Sequence, residues 1–279
     1  MTTPNIISGR GAAGGGTAVV TGASSRVGAI YADRLARQGH DLILVARNQA
    51  RLEALADRLR HETGQSVRVI AADLQDDAQT ARLAGELAAD ASVSVLVNNA
   101  GIGAAAPALQ SDVEAMVRMI ALNVTALTRL TYAVLPGLVS RGRGTIINIA
   151  SIVAVAPELL NGVYGGSKAF VLALTQSLHK ELAGSGVRVQ AVLPGATATE
   201  FWDIAGHTVD RLPPEMVMAA DEMVDASLAG LALGELATIP SLPQIEDWDR
   251  FEAARQALMP NLSRTTAAAR YRVPAGAAS

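Results

Sequence analysis

Apolar and polar residues alternate along this chain on two scales. Short runs that are apolar almost throughout fall at residues 17–21, 41–46, 67–72, 94–98, 145–150 and 187–193, with a shorter one at 237–239. Such runs suit strands buried on both faces, as parallel strands are. Between them lie longer stretches, at 26–38, 48–63, 76–91, 111–138, 161–183 and 220–233, whose apolar spacing suits helices. In the second of these, Leu52, Leu55, Ala56 and Leu59 form one stripe, while Arg51, Asp57, Arg58 and Arg60 lie off it. Unbroken strand–helix alternation predicts right-handed crossovers and an α/β fold. The expected architecture is a doubly wound, mostly parallel seven-stranded sheet with helices on both faces.

The rhythm also sets the expected organisation. Residues 1–16, ending in Gly14, Gly15 and Gly16, read as a flexible extension. Residues 17–239 read as one domain. After Ile239 the pattern is interrupted by Pro240, Pro243, Pro260 and Pro274, with one helical stretch at 246–258. Residues 240–279 are expected to form an arm packed on that same domain, because Trp248, Phe251, Leu258 and Met259 need cover.

Composition narrows the function. A net charge of −3 over 279 residues gives no electrostatic case for a nucleic-acid partner. The absence of cysteine excludes disulfides, thiolate metal sites and thiol nucleophiles. His40, His61, His179 and His207 are not spaced as metal ligands, so no metal is expected. No basic start followed by an apolar core precedes residue 17, and the longest apolar run noted, 146–155, is too short to cross a bilayer. A soluble, cytoplasmic protein without membrane attachment is the expectation.

The first strand leads into Thr21-Gly22-Ala23-Ser24-Ser25-Arg26-Val27-Gly28, and a helix follows. A glycine turn lets backbone approach a ligand closely, and a helix N-terminus offers free N–H groups to a pyrophosphate. The second strand ends at Ala46-Arg47. An acidic side chain there would bind the adenosine ribose of NAD, whereas an arginine accommodates the 2′-phosphate of NADP. Ala46 and Arg47 therefore predict NADP over NAD.

Tyr164 and Lys168 sit four residues apart on a predicted helix and so share one face. A phenol titrates near pH ~10 when unperturbed, and an adjacent ammonium favours its phenolate. The pairing is notable because the chain has only two lysines, Lys168 and Lys180, in a total of 23 basic residues. Ser151 follows the fifth strand, and its hydroxyl can donate to a substrate oxygen and stabilise developing charge there.

Together these motifs resemble the short-chain dehydrogenase/reductase family, in family order from Thr17 to about Thr199. The family's turn reads Thr-Gly-x-x-x-Gly-x-Gly, and Arg26 replaces its middle glycine here, which suits a contact with cofactor phosphate. The resemblance implies a Rossmann-like domain and NAD(P)-dependent hydride transfer between a carbonyl and an alcohol. It implies cofactor contacts from Gly22, Ser24, Ser25, Arg26, Val27 and Gly28, and from Arg47. It adds Asp73 and Leu74 near the adenine, and Asn99, Ala100 and Gly101 near the ribose. It adds Pro194, Gly195, Thr197 and Thr199 near the nicotinamide and diphosphate. Tyr164 is then the acid–base group and Lys168 lowers its pKa and binds the ribose. Ser151 orients the substrate and Asn123 supports a proton relay. The segment from Phe201 to about Met218 is the expected substrate lid, and its apolar residues suit a small to medium, lipophilic carbonyl or alcohol. Pairing of the helices 111–138 and 161–183 implies a homodimer or homotetramer, with Ala121, Ala126, Ala169 and Ala173 as small contact residues. The alternative kept open is a non-catalytic NAD(P)-binding sensor or scaffold on the same fold.

Overall fold

The computed structural model describes residues 15–199 and 213–271. The chain divides into two compact units, Met1–Pro240 and Ser241–Ser279.

The first unit is built on seven parallel strands: β1 (Thr17–Thr21), β2 (Asp41–Ala46), β3 (Val67–Ala71), β4 (Val93–Asn98), β5 (Gly144–Ile149), β6 (Val187–Val192) and β7 (Ala237–Thr238). They lie in the order β3-β2-β1-β4-β5-β6-β7. The crossovers include helices α1 (Arg26–Arg37), α2 (Gln49–Thr63), α3 (Asp77–Ala89), α4 (Val113–Ile120), α5 (Leu127–Ser140), α6 (Gly162–Glu181) and α7 (Ala220–Leu233). The expected strands and helices appear with their ends shifted by one or two residues, apart from the long helix described below.

Every residue of β1 is buried, which explains its unbroken apolar run. Alternate side chains serve opposite layers. Ala18 and Val20 join a core with Tyr31, Leu35, Leu52, Leu59 and Val224, beneath α1, α2 and α7. Val19 joins Leu83, Leu87, Leu130, Val134 and Leu178, beneath α3, α5 and α6. A fully buried leucine contributes roughly 1.5–3 kcal/mol, so the two layers hold the sheet from both sides. The strand order reverses between β1 and β4. Their carboxyl ends open a crevice, the place where ligands bind in such sheets.

One of these expectations needs correction here. The helix anticipated over 111–138 is not one regular element, because a π-helical turn, Ala121–Ala126, separates α4 from α5. The extension 1–16 lies outside the described residues except at its end, where Gly15 N–H donates to Gly39 O at 3.2 Å. Gly16 takes a φ of +69°, so glycine is needed there for conformation. Finally, Val113–Ser140 is long and apolar enough to cross a membrane, at a mean hydropathy of 1.2. Glu114, Arg118 and Arg129 hide that character from a search for unbroken runs. Leu127, Leu130, Val134 and Leu138 of this stretch are buried in the unit itself.

The second unit contains α8 (Ile245–Ala257) and two short 3₁₀ turns, Met259–Asn261 and Ala269–Tyr271. Trp248 is buried and its ring lies 5.4 Å from that of Phe251. Phe251, Leu258 and Met259, expected to be covered, are exposed.

Candidate active site

The Gly22 turn is held by hydrogen bonds rather than by packing. Gly22 has a φ of +66°, and a Cβ there would lie 2.8 Å from Asn99 Nδ2. A Cβ on Gly28 would press into the Gly22 carbonyl, so both positions require glycine. Ser25 caps α1, its Oγ accepting from Gly28 N at 3.3 Å. The first-turn amides that follow, those of Arg26 and Val27, have no acceptor within the helix. No acidic residue stands in that turn to oppose an anion. Asn99 Nδ2 donates to Thr21 O at 2.9 Å and Gly22 O at 3.2 Å, tying the turn to the end of β4. Thr21 Oγ1 donates to Val97 O and accepts from the amides of Asn99 and Ala100, each at 3.0 Å. Thr21 is thus a structural member of the site that the motif reading passed over. These features form a backbone-lined cradle that fits a dinucleotide pyrophosphate.

The remaining residues assigned to the cofactor follow the carboxyl ends of β2, β3, β4 and β6. Ala46 ends β2 and is buried, while Arg47 after it is exposed. Among the described residues Arg47 makes no salt bridge, whereas Arg34, Arg37 and Arg58 are all paired with carboxylates. Arg26 is exposed and lines a groove of about 410 Å³ with Ile30, Asp33, Arg34, Arg58 and Asp221. Asp73 accepts from Gln75 N at 2.9 Å, and Leu74 packs in the core beneath α3 and α5. Pro194 O accepts from Ile152 N at 3.0 Å, linking the loop after β6 to the loop after β5. Ala198 N donates to Met218 O, and Met218 N to Ala196 O, both at 2.9 Å. Thr197, paired with Met218, is buried, whereas Thr199 is half-buried. Phe201, Trp202 and Ile204, expected in a substrate lid, lie outside the described residues.

At the chemical end, Ser151, Tyr164, Lys168 and Asn123 are all buried. Ser151 follows β5 and caps a 3₁₀ turn, its Oγ accepting from Val153 N. It is hydrogen-bonded to the Tyr164 hydroxyl. Lys168 Nζ donates to Ile149 O at 2.8 Å and stands 5.8 Å from the centroid of the Tyr164 ring. Asn123 lies in the π-helical turn. Its Oδ1 accepts from Ile102 N at 3.0 Å, and its Nδ2 donates to Ile102 O at 2.9 Å and Ser167 Oγ at 3.1 Å. Ser167 Oγ donates to Tyr164 O at 2.8 Å, so Asn123 is joined to α6 through a residue not foreseen in the motif. Gly101 opens the space between them, where a Cβ would lie 3.2 Å from Asn123 Oδ1 and 3.4 Å from Lys168 Nζ.

The electrostatics differ from the simple expectation of a depressed phenol. Burial pushes the Tyr164 hydroxyl up to about 12, against a lowering by the Ser151 hydrogen bond. Burial also pulls the Lys168 ammonium down to about 8. Desolvation disfavours both charges, and the ammonium is directed at the Ile149 carbonyl rather than spent on the phenol. Around neutrality the arrangement is therefore a protonated phenol beside a charged ammonium, poised to give a proton.

Known proteins match this architecture. The short chain dehydrogenase family model matches residues 16–209. The very-long-chain 3-oxoacyl-CoA reductase of Anas platyrhynchos is 34% identical over 224 residues, covering 77% of this chain and 71% of that enzyme. The match to its Bos taurus counterpart spans 64% of that enzyme's length. The short-chain dehydrogenase from Sphingobium yanoikuyae, solved in complex with NADPH, is 50% identical with a TM-score of 0.89, covering 92% of this chain and 100% of that one. The bulky-bulky ketone specific alcohol dehydrogenase from Comamonas testosteroni is 44% identical with a TM-score of 0.85, covering 92% of this chain and 99% of that one. The chain belongs to the short-chain dehydrogenase/reductase family. It is an NAD(P)-dependent oxidoreductase acting on small molecules.

Proposed function

We propose that this protein transfers hydride between NADP(H) and a lipophilic ketone or secondary alcohol. The observation that carries the reading is the set Asn123, Ser151, Tyr164 and Lys168 buried beside an apolar patch. Tyr164, Met119 and Val153 form the buried part of that patch, with Ile102, Ala104, Met116, Leu160 and Val163 packed against it. Leu109 and Leu159, in short 3₁₀ turns, and Val155, at the end of another, are exposed. A wall of that chemistry favours hydrocarbon flanks on the substrate over charged ones.

The cofactor supplies or accepts the hydride, and this chain's residues handle the proton. In reduction the Tyr164 hydroxyl gives its proton to the carbonyl oxygen, and in oxidation it takes one from the alcohol. Ser151 orients that oxygen. Lys168 places positive charge beside the phenol and toward the ribose side of the crevice, and Asn123 supports proton return from solvent. Backbone at Gly22, Ser24, Ser25, Val27 and Gly28 holds the pyrophosphate, with Arg47, and Arg26 where its side chain reaches, on the phosphates. The test is a panel of ketones, aldehydes and alcohols with both cofactors, followed at the nicotinamide absorbance. Aliphatic or aryl ketones should oxidise NADPH faster than polar ones. Turnover confined to charged or polyhydroxylated substrates would overturn the lipophilic assignment.

The same reading includes a homo-oligomer. Val113, Val117 and Ile120 recur on one face of α4 and are exposed, as are Tyr132 on α5 and Phe170 on α6. Of the small residues first suggested as contacts, Ala126 is buried within the chain, so the larger exposed residues carry the expectation. Light scattering should report a dimer or tetramer at micromolar concentration, and a monomer there would overturn it.

A further inference from the structure

The segment between β4 and α4 packs Ile102 and Ala104 against the buried cluster of Tyr164, Met119 and Val153. That segment runs Gly101-Ile102-Gly103-Ala104-Ala105-Ala106-Pro107, with side chains mostly too short to anchor it by packing. Polar ties hold it instead. At its start, the Asn123 amide grips both backbone groups of Ile102. At its far end, Asn161 Nδ2 donates to Ala106 O at 2.8 Å and to Ser111 Oγ at 3.0 Å, while Asn161 N donates to Ala104 O at 3.4 Å. Ser111 Oγ in turn donates to Ala106 O at 3.2 Å and Pro107 O at 3.0 Å.

Asn161 is itself fixed. It is the N-cap of α6, its Oδ1 accepting from Val163 N at 2.9 Å and its carbonyl from Gly165 N at 2.9 Å. It is 5% exposed and stands three residues before Tyr164. Capping needs only an acceptor, which serine, threonine or aspartate supplies as well. The two N–H donors are surplus to the cap; one goes to Ala106 O and the other to Ser111 Oγ, which itself holds Ala106 and Pro107.

We propose that Asn161 is a positioning residue that sets the width of the substrate site, clamping the wall carrying Ile102 and Ala104 to the first turn of the helix carrying Tyr164. The specificity part rests on the carbonyl reading above, whereas the clamp does not. Asn161→Asp keeps the capping acceptor, loses both donors and sets a carboxylate against the Ala106 carbonyl. Asn161→Ser caps without the charge and without the amide N–H pair, and its shorter hydroxyl has a single donor. In both variants, amide hydrogen exchange within residues 102–111 should accelerate by roughly fivefold or more, as expected for losing a buried hydrogen bond. Exchange in α6 beyond Val171 should stay as in the wild type. On lipophilic ketones, KM should rise by a comparable factor while kcat and NADPH affinity hold within about twofold. Unchanged exchange in 102–111 would overturn the clamp. Equal loss of kcat on every substrate without a KM change would overturn the positioning role. A wild type that turns over no carbonyl compound would overturn the functional reading instead, and the exchange result alone would then decide the clamp.

Discussion

Tyr164→Phe is expected to fold, to bind NADPH as the wild type does, and to lose roughly a hundred- to ten-thousand-fold in turnover, the range that a positioned acid or base contributes. In free energy this is about 3–5 kcal/mol of transition-state stabilisation. The ring stays, so the apolar contacts with Met119 and Val153 survive. What goes is the hydroxyl bonded to Ser151. The sign of the pH dependence follows from the two buried groups. Held up to about 12, the phenol keeps its proton across the neutral range. Drawn down to about 8, the Lys168 ammonium is charged below that pH and neutral above it. For reduction, kcat/KM taken against NADPH reports groups of the free enzyme. It should be level below pH about 8 and decline above it as Lys168 loses its charge and the phenol becomes a weaker donor. Oxidation, which needs Tyr164 to accept a proton, should instead speed up as pH rises. Near-wild-type turnover by Tyr164→Phe on any active substrate would remove Tyr164 from the proton path.

Much of the fold, and part of the candidate site, is legible in the sequence for identifiable reasons. Parallel strands buried on both faces leave unbroken apolar runs, so β1, β2 and β6 announced themselves. The glycine turn was legible because Gly22 has a backbone conformation that other residues seldom adopt. Tyr164 and Lys168 shared a helix face by spacing alone. The missing parts depend on contacts between distant segments. The π-helical turn at Asn123 leaves no mark, because Ala121-Leu122-Asn123-Val124 contains neither glycine nor proline. Nothing in the sequence sets Ser167 or Asn161 apart, since serine within a helix and asparagine at a helix start are both common. Their importance comes from Asn123 and from Ser111, 44 and 50 residues away. The upward shift of Tyr164 was also hidden, since spacing reveals a neighbouring ammonium but not the depth of burial or the Ile149 carbonyl that receives it. The exposed Phe251 and Leu258 show the same limit, because an apolar side chain states a preference for cover without supplying it.

Arg47→Ala should weaken NADP(H) binding by roughly ten- to a hundredfold while leaving NAD(H) nearly unchanged, the cost of one charge-assisted contact being about 1.5–3 kcal/mol. The expectation rests on three local facts. Ala46, at the end of β2, offers no carboxylate to an adenosine ribose. Arg47 is exposed and carries no salt bridge among the described residues, so its charge is not already neutralised by the protein. The turn does not depend on it either, because Asn48 caps α2 by accepting from Arg51 N at 3.0 Å. The alanine variant should therefore keep its backbone and lose only the cation. Salt should reproduce the effect in part, since an exposed arginine–phosphate contact is screened, and rising ionic strength should erode NADPH affinity more than NADH affinity. The reverse design, Ala46→Asp with Arg47→Ile, adds an acceptor for the ribose hydroxyls and removes the phosphate's partner, and should turn the preference toward NAD. Calorimetric titration of the wild type and both variants with all four cofactor forms decides the matter. Equal wild-type affinities for NADPH and NADH, or an Arg47→Ala variant that loses both alike, would show that Arg47 does not read the 2′-phosphate.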